Sequence, residues 1–252
     1  MTRGKRMKKN NNTKIIFYFI VYFLLFFVLI YSGIKIYEWY RDKNKNNEIA
    51  KKIKETVIVE SNGKNKEEYL IDFDKLKEQN NEAIAWIKVN NTNIEYPVVK
   101  TKNNEFYLNH SFDKSKNLGG WIFADYKNKF NGTDKNIVIY GHNMKDNSMF
   151  GTMQNILNPE WYNNEENTNI ILKTEGKNYI YKVFSIYRIE NEDYYIKTEF
   201  NNDSEFEQFL NTLKARSIRN FNMDMLESDS ILTLSTCDNN NKYRVVLHAK
   251  KI

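Results

Sequence analysis

The first pattern along the chain is an uninterrupted apolar run, IIFYFIVYFLLFFVLIYSGI, at residues 15–34. It contains no charged residue, and a helix of this length spans about 30 Å, the thickness of the hydrocarbon layer of a membrane. A cleaved signal peptide is the alternative, but its apolar stretch is shorter and ends in a small-residue cleavage site, which this run lacks. We therefore expect an uncleaved transmembrane anchor at 15–34, preceded by a basic tail at 1–14.

The segment that follows, residues 35–84, is rich in charge, and its apolar residues recur at helical spacing. Ile49, Ile53 and Leu70 belong to this pattern. It predicts amphipathic juxtamembrane helices that are interrupted near residues 61–63, where Ser, Asn and Gly follow one another. A flexible linker is the alternative interpretation.

From about Ala85 the apolar pattern changes to a period of two, which is typical of half-buried strands. One helix is predicted at 203–217, where Asp203 or Ser204 can cap its first turn. Many short strands with interposed helices favour a closed β-barrel with added helices, here a domain at 85–252. The remaining predicted elements are strands at 93–100, 119–126 and 135–142, a short helix at 148–157, a hairpin at 169–190 turning at Glu175-Gly176, and strands at 230–237 and 243–251.

Charge changes this picture only at the N-terminus. The formal net charge is +6, yet six basic residues and no acid lie within residues 1–34, so the remainder is balanced. A general nucleic-acid-binding surface is therefore not indicated, whereas a basic tail beside a membrane segment is. Basic residues flank the apolar run on both sides, so they do not decide its orientation. We favour a cytoplasmic N-terminus because the first 14 residues are too few to fold.

Sequence patterns for metals and cofactors are missing. Three scattered histidines and one cysteine give none of the usual ligand spacings. The chain also has no glycine-rich phosphate loop and no G-x-S-x-G elbow. We expect neither a metal nor a cofactor.

The single cysteine, Cys237, ends a predicted strand whose alternation places Thr233, Ser235 and Cys237 on one face. If the last two strands form an antiparallel hairpin, Arg244 lies opposite Cys237. A guanidinium near a thiol favours the thiolate and can hold an anionic or carbonyl oxygen. The alternative is that Cys237 is a small buried apolar residue and that Arg244 is an ordinary surface residue.

A thiol nucleophile also needs an acid–base partner, and the chain offers three histidines. His248 lies about four residues along the strand from the point opposite Cys237, or about 13 Å, which is too far for proton transfer. His142 stands at the mouth of the strand 135–142, where a barrel exposes functional groups. We prefer His142, and His110 in a polar loop comes next.

Several of these segments resemble one family. TLSTC at 233–237 resembles the TLxTC signature of the sortases, which are membrane-anchored cysteine transpeptidases of Gram-positive bacteria. IVIYGHN at 137–143 resembles the strand that carries the sortase histidine, and Arg244 occupies the position of the sortase arginine. The other similar segments are YPVV at 96–99, NNEFYLNHSF at 103–112 and GGWIFADYKN at 119–128.

The chain is most similar to class B sortases, through its helical region before the barrel, its helix at 203–217 and its short loop between Cys237 and Arg244. The resemblance implies an eight-stranded sortase barrel outside the cell and a cytoplasmic N-terminus. It also implies cleavage of an NPxTx-type sorting motif after Thr, through a thioester on Cys237. The acyl group then passes to an amine of peptidoglycan or of a pilin lysine.

The resemblance also assigns roles to single residues. His142, Cys237 and Arg244 are the expected catalytic residues, whereas Asn104, Leu108, Tyr140 and Ser235 are expected to line the substrate groove. The expected partners are the membrane, secreted proteins with a C-terminal sorting signal, and the amine acceptor, with no nucleic acid. Two other functions stay open: a membrane-bound cysteine protease that releases its product to water, and an inactive sortase-like binding module.

Overall fold

The structure is a computed structural model, and it describes residues 11–60, 69–190, 192–237 and 242–252. The chain divides into two units, of which the first ends at Asn44 and the second runs from Lys45 to Ile252. The predicted interruption near residues 61–63 lies outside the described residues.

The first unit is helical. Helix α1 is assigned to Asn11–Val57, and the side chains of its apolar run, such as Phe19 and Leu29, are exposed. Within the described part of the chain, this is the one helix that is long and apolar enough to cross a membrane. Exposed apolar side chains on every face are what a lipid environment favours and what water disfavours.

The second unit begins with the last turns of α1, where Ile53 and Val57 are buried in the apolar core. Strands β1 (Ile58–Glu60) and β2 (Tyr69–Ile71) then pair antiparallel. The helix predicted around Leu70 is wrong, since Leu70 lies in β2, and three-residue strands are too short to show a period of two. Helix α2 (Phe73–Gln79) follows, and the Asp72 side chain caps it by accepting from Lys75 N at 3.0 Å.

Eight strands form a closed barrel, as predicted. Their order around the barrel is β10-β8-β7-β3-β4-β5-β6-β9, and β10 also pairs with β9 to close it. Most pairs are antiparallel, but β4–β5 and β6–β9 are parallel. The strands are β3 (Ala83–Val89), β4 (Glu95–Val99), β5 (Phe123–Ala124), β6 (Asn136–His142), β7 (Asn169–Thr174), β8 (Lys177–Glu190), β9 (Ile231–Cys237) and β10 (Tyr243–Lys251).

The segments predicted to be helical at 148–157 and 203–217 do form helices, but the type of one helix and the cap residue of the other differ from the prediction. The segment predicted as a short helix forms a 3₁₀ helix at Gly151–Leu157. A four-residue helix, α3 (Pro159–Tyr162), was not predicted. Helix α4 spans Asp203–Arg216, but Asn202 caps it, its side chain accepting from Glu205 N at 2.9 Å.

The apolar residues form two buried clusters. The larger one fills the barrel and includes Trp86, Ile139 and Leu234. The smaller one lies between the apolar stripe of α4 and the outer face of the barrel, where Val246 of β10 belongs to it. The outer face of β9 and β10 is therefore covered by protein along most of its length and approaches the surface only near the ends of the strands.

Candidate active site

The site is organised by the parallel pairing of β6 and β9. Seven residue pairs are in register, from Asn136 with Ile231 to His142 with Cys237. Because the two strands run in the same direction, both of these last residues lie at the same end of the barrel. Adjacent strands are about 4.8 Å apart, so the backbones of His142 and Cys237 are nearest neighbours across the sheet. The side chain of Cys237 lies outside the described atoms.

Arg244 reaches this end of the barrel from the other neighbour of β9. Strand β10 pairs antiparallel with β9, and Val246 is the partner of Ser235. The same register, continued by two residues, places Arg244 opposite Cys237, as the sequence predicts. The Arg244 guanidinium donates from Nη1 to the main-chain oxygen of Thr236 at 3.3 Å, which holds it beside the end of β9.

His142 is held by hydrogen bonding and by close packing. Its Nε2 lies 2.7 Å from the main-chain oxygen of Leu108. A carbonyl oxygen only accepts, so Nε2 carries a proton and Nδ1 is the nitrogen whose protonation can change. Burial lowers the pKa of His142 below its usual value, and the hydrogen bond to Leu108 opposes this effect in part. The imidazole is therefore mostly neutral near pH 7, ready to accept a proton.

Gly120 makes the close packing around His142 possible. Its φ of +54° lies in the left-handed region, and a Cβ at this position would lie 2.4 Å from Tyr107 O and 2.9 Å from His142 Cδ2. No side chain fits at these distances without a shift of the backbone or of the imidazole. The glycine thus lets the loop that carries Tyr107 and Leu108 lie directly against the imidazole ring.

The other two histidines have different surroundings. His248 is fully buried, between the Tyr187 hydroxyl at 2.9 Å from Nε2 and the Thr233 hydroxyl at 2.9 Å from Nδ1. Burial lowers its pKa to about 3, so it remains neutral in the folded protein at neutral pH. His110 stacks on the Phe106 ring with a centroid distance of 4.0 Å. Neither residue is a strand partner of Cys237.

A groove of about 220 Å³ opens beside the site. Arg244 lines it, together with three of the four residues expected to contact substrate: Asn104, Leu108 and Tyr140. The lining is part apolar and part polar, as is usual for sites that bind an extended peptide or another small ligand. The other lining residues, not anticipated from the sequence, are Phe123, Glu192, Asp193, Tyr195 and Ile196.

Ser235 is placed differently from the expectation. It is fully buried, and its hydroxyl lies 2.9 Å from the Tyr195 hydroxyl. The alternation along β9 does turn Ser235 to the outer face, but Tyr195 covers it there. Ser235 therefore supports a groove residue from beneath and does not line the groove itself.

Asp125 organises one wall of the groove, and sequence analysis did not single it out. The carboxylate is buried, and its Oδ2 accepts from the Asn104 amide at 2.8 Å and from the Tyr140 hydroxyl at 2.8 Å. Its Oδ1 accepts from Lys127 N at 2.9 Å. The only available signal was an acid that directly follows a short apolar strand. This one carboxylate orients two of the predicted substrate-contacting side chains.

The opposite wall is a 3₁₀ helix, Tyr194–Ile196. Asn136, at the start of β6, anchors it by donating from its amide to the main-chain oxygens of Tyr195 at 3.3 Å and Lys197 at 2.9 Å. Thr233 donates in turn to the Asn136 side-chain oxygen at 2.7 Å. The wall is thus attached to the barrel by buried hydrogen bonds. The sequence did not predict it, because a three-residue helix is too short to show a helical period of apolar residues.

Comparison with known proteins agrees with this geometry. A family model for the sortase domain matches residues 87–252. Sortase B of Listeria monocytogenes is 34% identical over 233 residues, which cover 89% of this chain and 92% of that protein. Sortase B of Staphylococcus aureus is 32% identical, with the same coverage.

Solved structures give the same result for the fold. Clostridium perfringens sortase B is 38% identical, with a TM-score of 0.68, and the match covers 72% of this chain and all of that chain. Bacillus anthracis sortase B is 30% identical, with a TM-score of 0.74, covering 83% and 96% of the two chains. With its eight-stranded barrel and its paired His142 and Cys237, the chain belongs to the sortase family of cysteine transpeptidases and has sortase B proteins as relatives.

Proposed function

We propose that this protein is a class B sortase. It cleaves an NPxTx-type sorting motif after Thr through a thioester on Cys237, and transfers the acyl group to an amine of peptidoglycan or of a pilin lysine. The observation that carries the proposal is the parallel register of β6 and β9, which pairs His142 with Cys237 at the mouth of the groove, while the register of β10 continues to Arg244. A nucleophile, a base and a cation then share one end of the barrel.

The first half of the reaction forms the thioester. Neutral His142 takes the proton of the Cys237 thiol. The resulting thiolate attacks the carbonyl carbon of the motif Thr, and the carbonyl electrons move onto oxygen. Arg244 stabilises the resulting oxyanion. When the tetrahedral intermediate collapses, the C–N bond breaks and protonated His142 gives its proton to the leaving amine. The products of this half are a thioester and a neutral imidazole.

The second half resolves the thioester. The acceptor amine attacks the thioester carbonyl, and His142 takes the proton that the amine loses. Collapse forms the new amide bond and expels the Cys237 thiolate, which takes the proton back from His142 and so restores the starting state. Solved sortase B structures include an S. aureus sortase B–substrate complex and a sortase B complexed with triglycine, which is consistent with an acyl donor and an amine acceptor.

The proposed topology follows from the same family. The apolar helix would cross the membrane once, with the N-terminus in the cytoplasm and the barrel outside the cell, where secreted proteins and the cell wall are found. The tail at 1–14, the anchor at 15–34, the juxtamembrane region at 35–84 and the catalytic domain at 85–252 remain the proposed organisation. The exposed apolar face of α1 supports the anchor.

The test uses the full-length chain in detergent, a library of NPxTx-type peptides, and triglycine as the amine. We expect cleavage after Thr, an acyl adduct on Cys237 detected by mass spectrometry, and a ligated product that requires the amine. Cys237→Ala should abolish all three. Cleavage with release to water, whether or not the amine is present, would instead identify a protease. A protein that cleaves no peptide and traps no acyl group would be a binding module.

A further inference from the structure

A second cavity, of about 580 Å³, lies beyond the substrate groove. Residues 127–135 form one side of it and residues 198–201 form the other. Three lysines line the first side, and we call this cavity the lysine cleft. Its lining residues are Lys127, Lys129, Thr133, Asp134, Lys135, Thr198, Glu199, Phe200 and Asn201.

The groove and the lysine cleft share both of their walls. On one side, Asn104 lines the groove and accepts from Tyr126 N at 2.9 Å, and Lys127 of the cleft follows directly. On the other side, Ile196 lines the groove, and Thr198 of the cleft comes two residues later. The two cavities therefore follow one another between the same pair of chain segments.

The spacing along β6 indicates which part of a bound peptide reaches the cleft. His142 marks the reactive end, and Lys135 precedes the first residue of β6 at the opposite end. Seven residues of strand span about 23 Å, and a four-residue motif that ends at the scissile carbonyl spans about 13 Å. An extended peptide that continues along the same walls would place the residues about three to five positions upstream of the motif in the cleft.

The charges in the cleft favour an anionic ligand. Lys127 and Lys129 are exposed. Asp134 is already engaged by its own loop, accepting from Lys129 N at 2.8 Å, Phe130 N at 2.8 Å and the Asn128 amide at 3.1 Å. Glu199 is the other acid in the lining. Lys135 is half-buried, and its ammonium group donates to the main-chain oxygen of Glu227. The three lysines outnumber the two acids, and the exposed ammonium groups of Lys127 and Lys129 are the ones that carboxylates can approach from solvent.

We propose that the lysine cleft binds the segment immediately upstream of the sorting motif and selects acidic side chains there. This inference rests on the proposed function, because the groove must hold the motif for its upstream flank to reach the cleft. Exposed charge pairs are individually weak and are screened by salt, so the cleft adds selectivity to recognition by the groove and does not replace it.

The test compares three peptides that share one cleaved NPxTx motif and differ only in the four upstream residues, which are all Asp, all Ser or all Lys. With the full-length chain in detergent at low salt, we expect kcat/KM to be about five- to twentyfold higher for the Asp flank than for the Ser flank, and lowest for the Lys flank. In about 0.5 M salt the three values should converge. The double substitution Lys127→Glu, Lys129→Glu should reverse the order at low salt.

Two controls separate this inference from the proposed function. Lys52→Glu changes an exposed lysine on α1, outside both cavities, and should leave the order of the three peptides unchanged. Fluorescence anisotropy with Cys237→Ala measures binding of the same peptides without chemistry. Equal kcat/KM and equal binding for the three flanks would overturn the flank inference while the transpeptidase stands. If no motif peptide is cleaved, the proposed function fails, and equal binding of the three flanks would then reject the cleft as well.

Discussion

Asp125→Asn is the substitution that most directly tests how the groove is organised. The buried carboxylate accepts from the Asn104 amide, the Tyr140 hydroxyl and Lys127 N. Asparagine has one acceptor oxygen where aspartate has two, so either Lys127 N or the pair of groove side chains faces an NH₂ group and loses its acceptor. A hydrogen bond to a charged group contributes about 1.5–3 kcal/mol, and a buried donor left without a partner costs a similar amount.

This loss should affect peptide binding more than the chemical step. Asp125 contacts two groove side chains and none of the reacting atoms, so it is a positioning residue. A bound peptide would have to order Asn104 and Tyr140 at the expense of its own binding free energy. At about 1.4 kcal/mol for each factor of ten, we expect KM to rise by about 10- to 150-fold, while kcat at saturation changes less than about threefold.

The assay measures kcat and KM for one cleaved NPxTx peptide with the full-length chain in detergent. Asp125→Asn, Tyr140→Phe and their combination form a double-mutant cycle, in which we expect a coupling of at least about 1 kcal/mol because one hydrogen bond joins the two residues. Asp72→Asn is the control, since asparagine also caps a helix and α2 does not line the groove. The alkylation rate of Cys237 by iodoacetamide should be the same in all variants.

Two results would refute this reasoning. One is an unchanged KM in Asp125→Asn, which would mean that Asn104 and Tyr140 keep their positions without the carboxylate. The other is a coupling near zero in the cycle, which would mean that the two residues act independently. A fall in kcat together with slower alkylation of Cys237 would point to general damage to the fold rather than to the groove.

Three further predictions concern Gly120 and two histidines. Gly120→Ala should lower kcat/KM by about a hundredfold, because the added Cβ would displace His142. Gly132→Ala is the control: this glycine also has a positive φ but open space around it, so the substitution should lower stability and leave kcat/KM unchanged. The acid limb of the pH profile of kcat/KM should lie below about pH 6.5, because burial lowers the pKa of His142; a limb above about pH 7 would contradict this. The folded-state pKa of His248, about 3, lies below its unfolded value of about 6.5, so its contribution to stability is complete above about pH 6.5 and declines as pH falls. Denaturant titration should therefore show that the protein loses about 2 kcal/mol of unfolding free energy between about pH 6.5 and pH 5, relative to His248→Gln.

Local patterns predicted much of the fold. The strands β4, β6, β7, β8, β9 and β10 and helix α4 lie within or close to their predicted ranges, because alternation and helical periodicity depend on neighbouring residues alone. Strand β5 is shorter than predicted, with two residues. Strand β3, the β1–β2 sheet and the cap residue of α4 were missed. The start of β3 falls within the segment predicted to be helical, and very short strands and competing polar residues at a helix start leave no distinctive pattern.

The candidate site was predicted less completely than the fold. The alternation along β9 correctly predicted that Ser235 lies on the outer face of the strand. It could not reveal that Tyr195 covers this face. Asp125 looked like one acid among many, because its importance comes from two donors that arrive from other segments. A residue whose role depends on partners distant in sequence gives no local signal.

The sequence by itself determined the apolar anchor, the alternation that makes the strands, the single thiol and the motif around it, because each depends on residue types along one short stretch. Only the tertiary structure decided that the end of β6 lies beside the end of β9. Parallel neighbours cannot be joined by a tight turn, so their register depends on the closure of the whole barrel. The pairing of His142 with Cys237 is therefore a property of the complete fold.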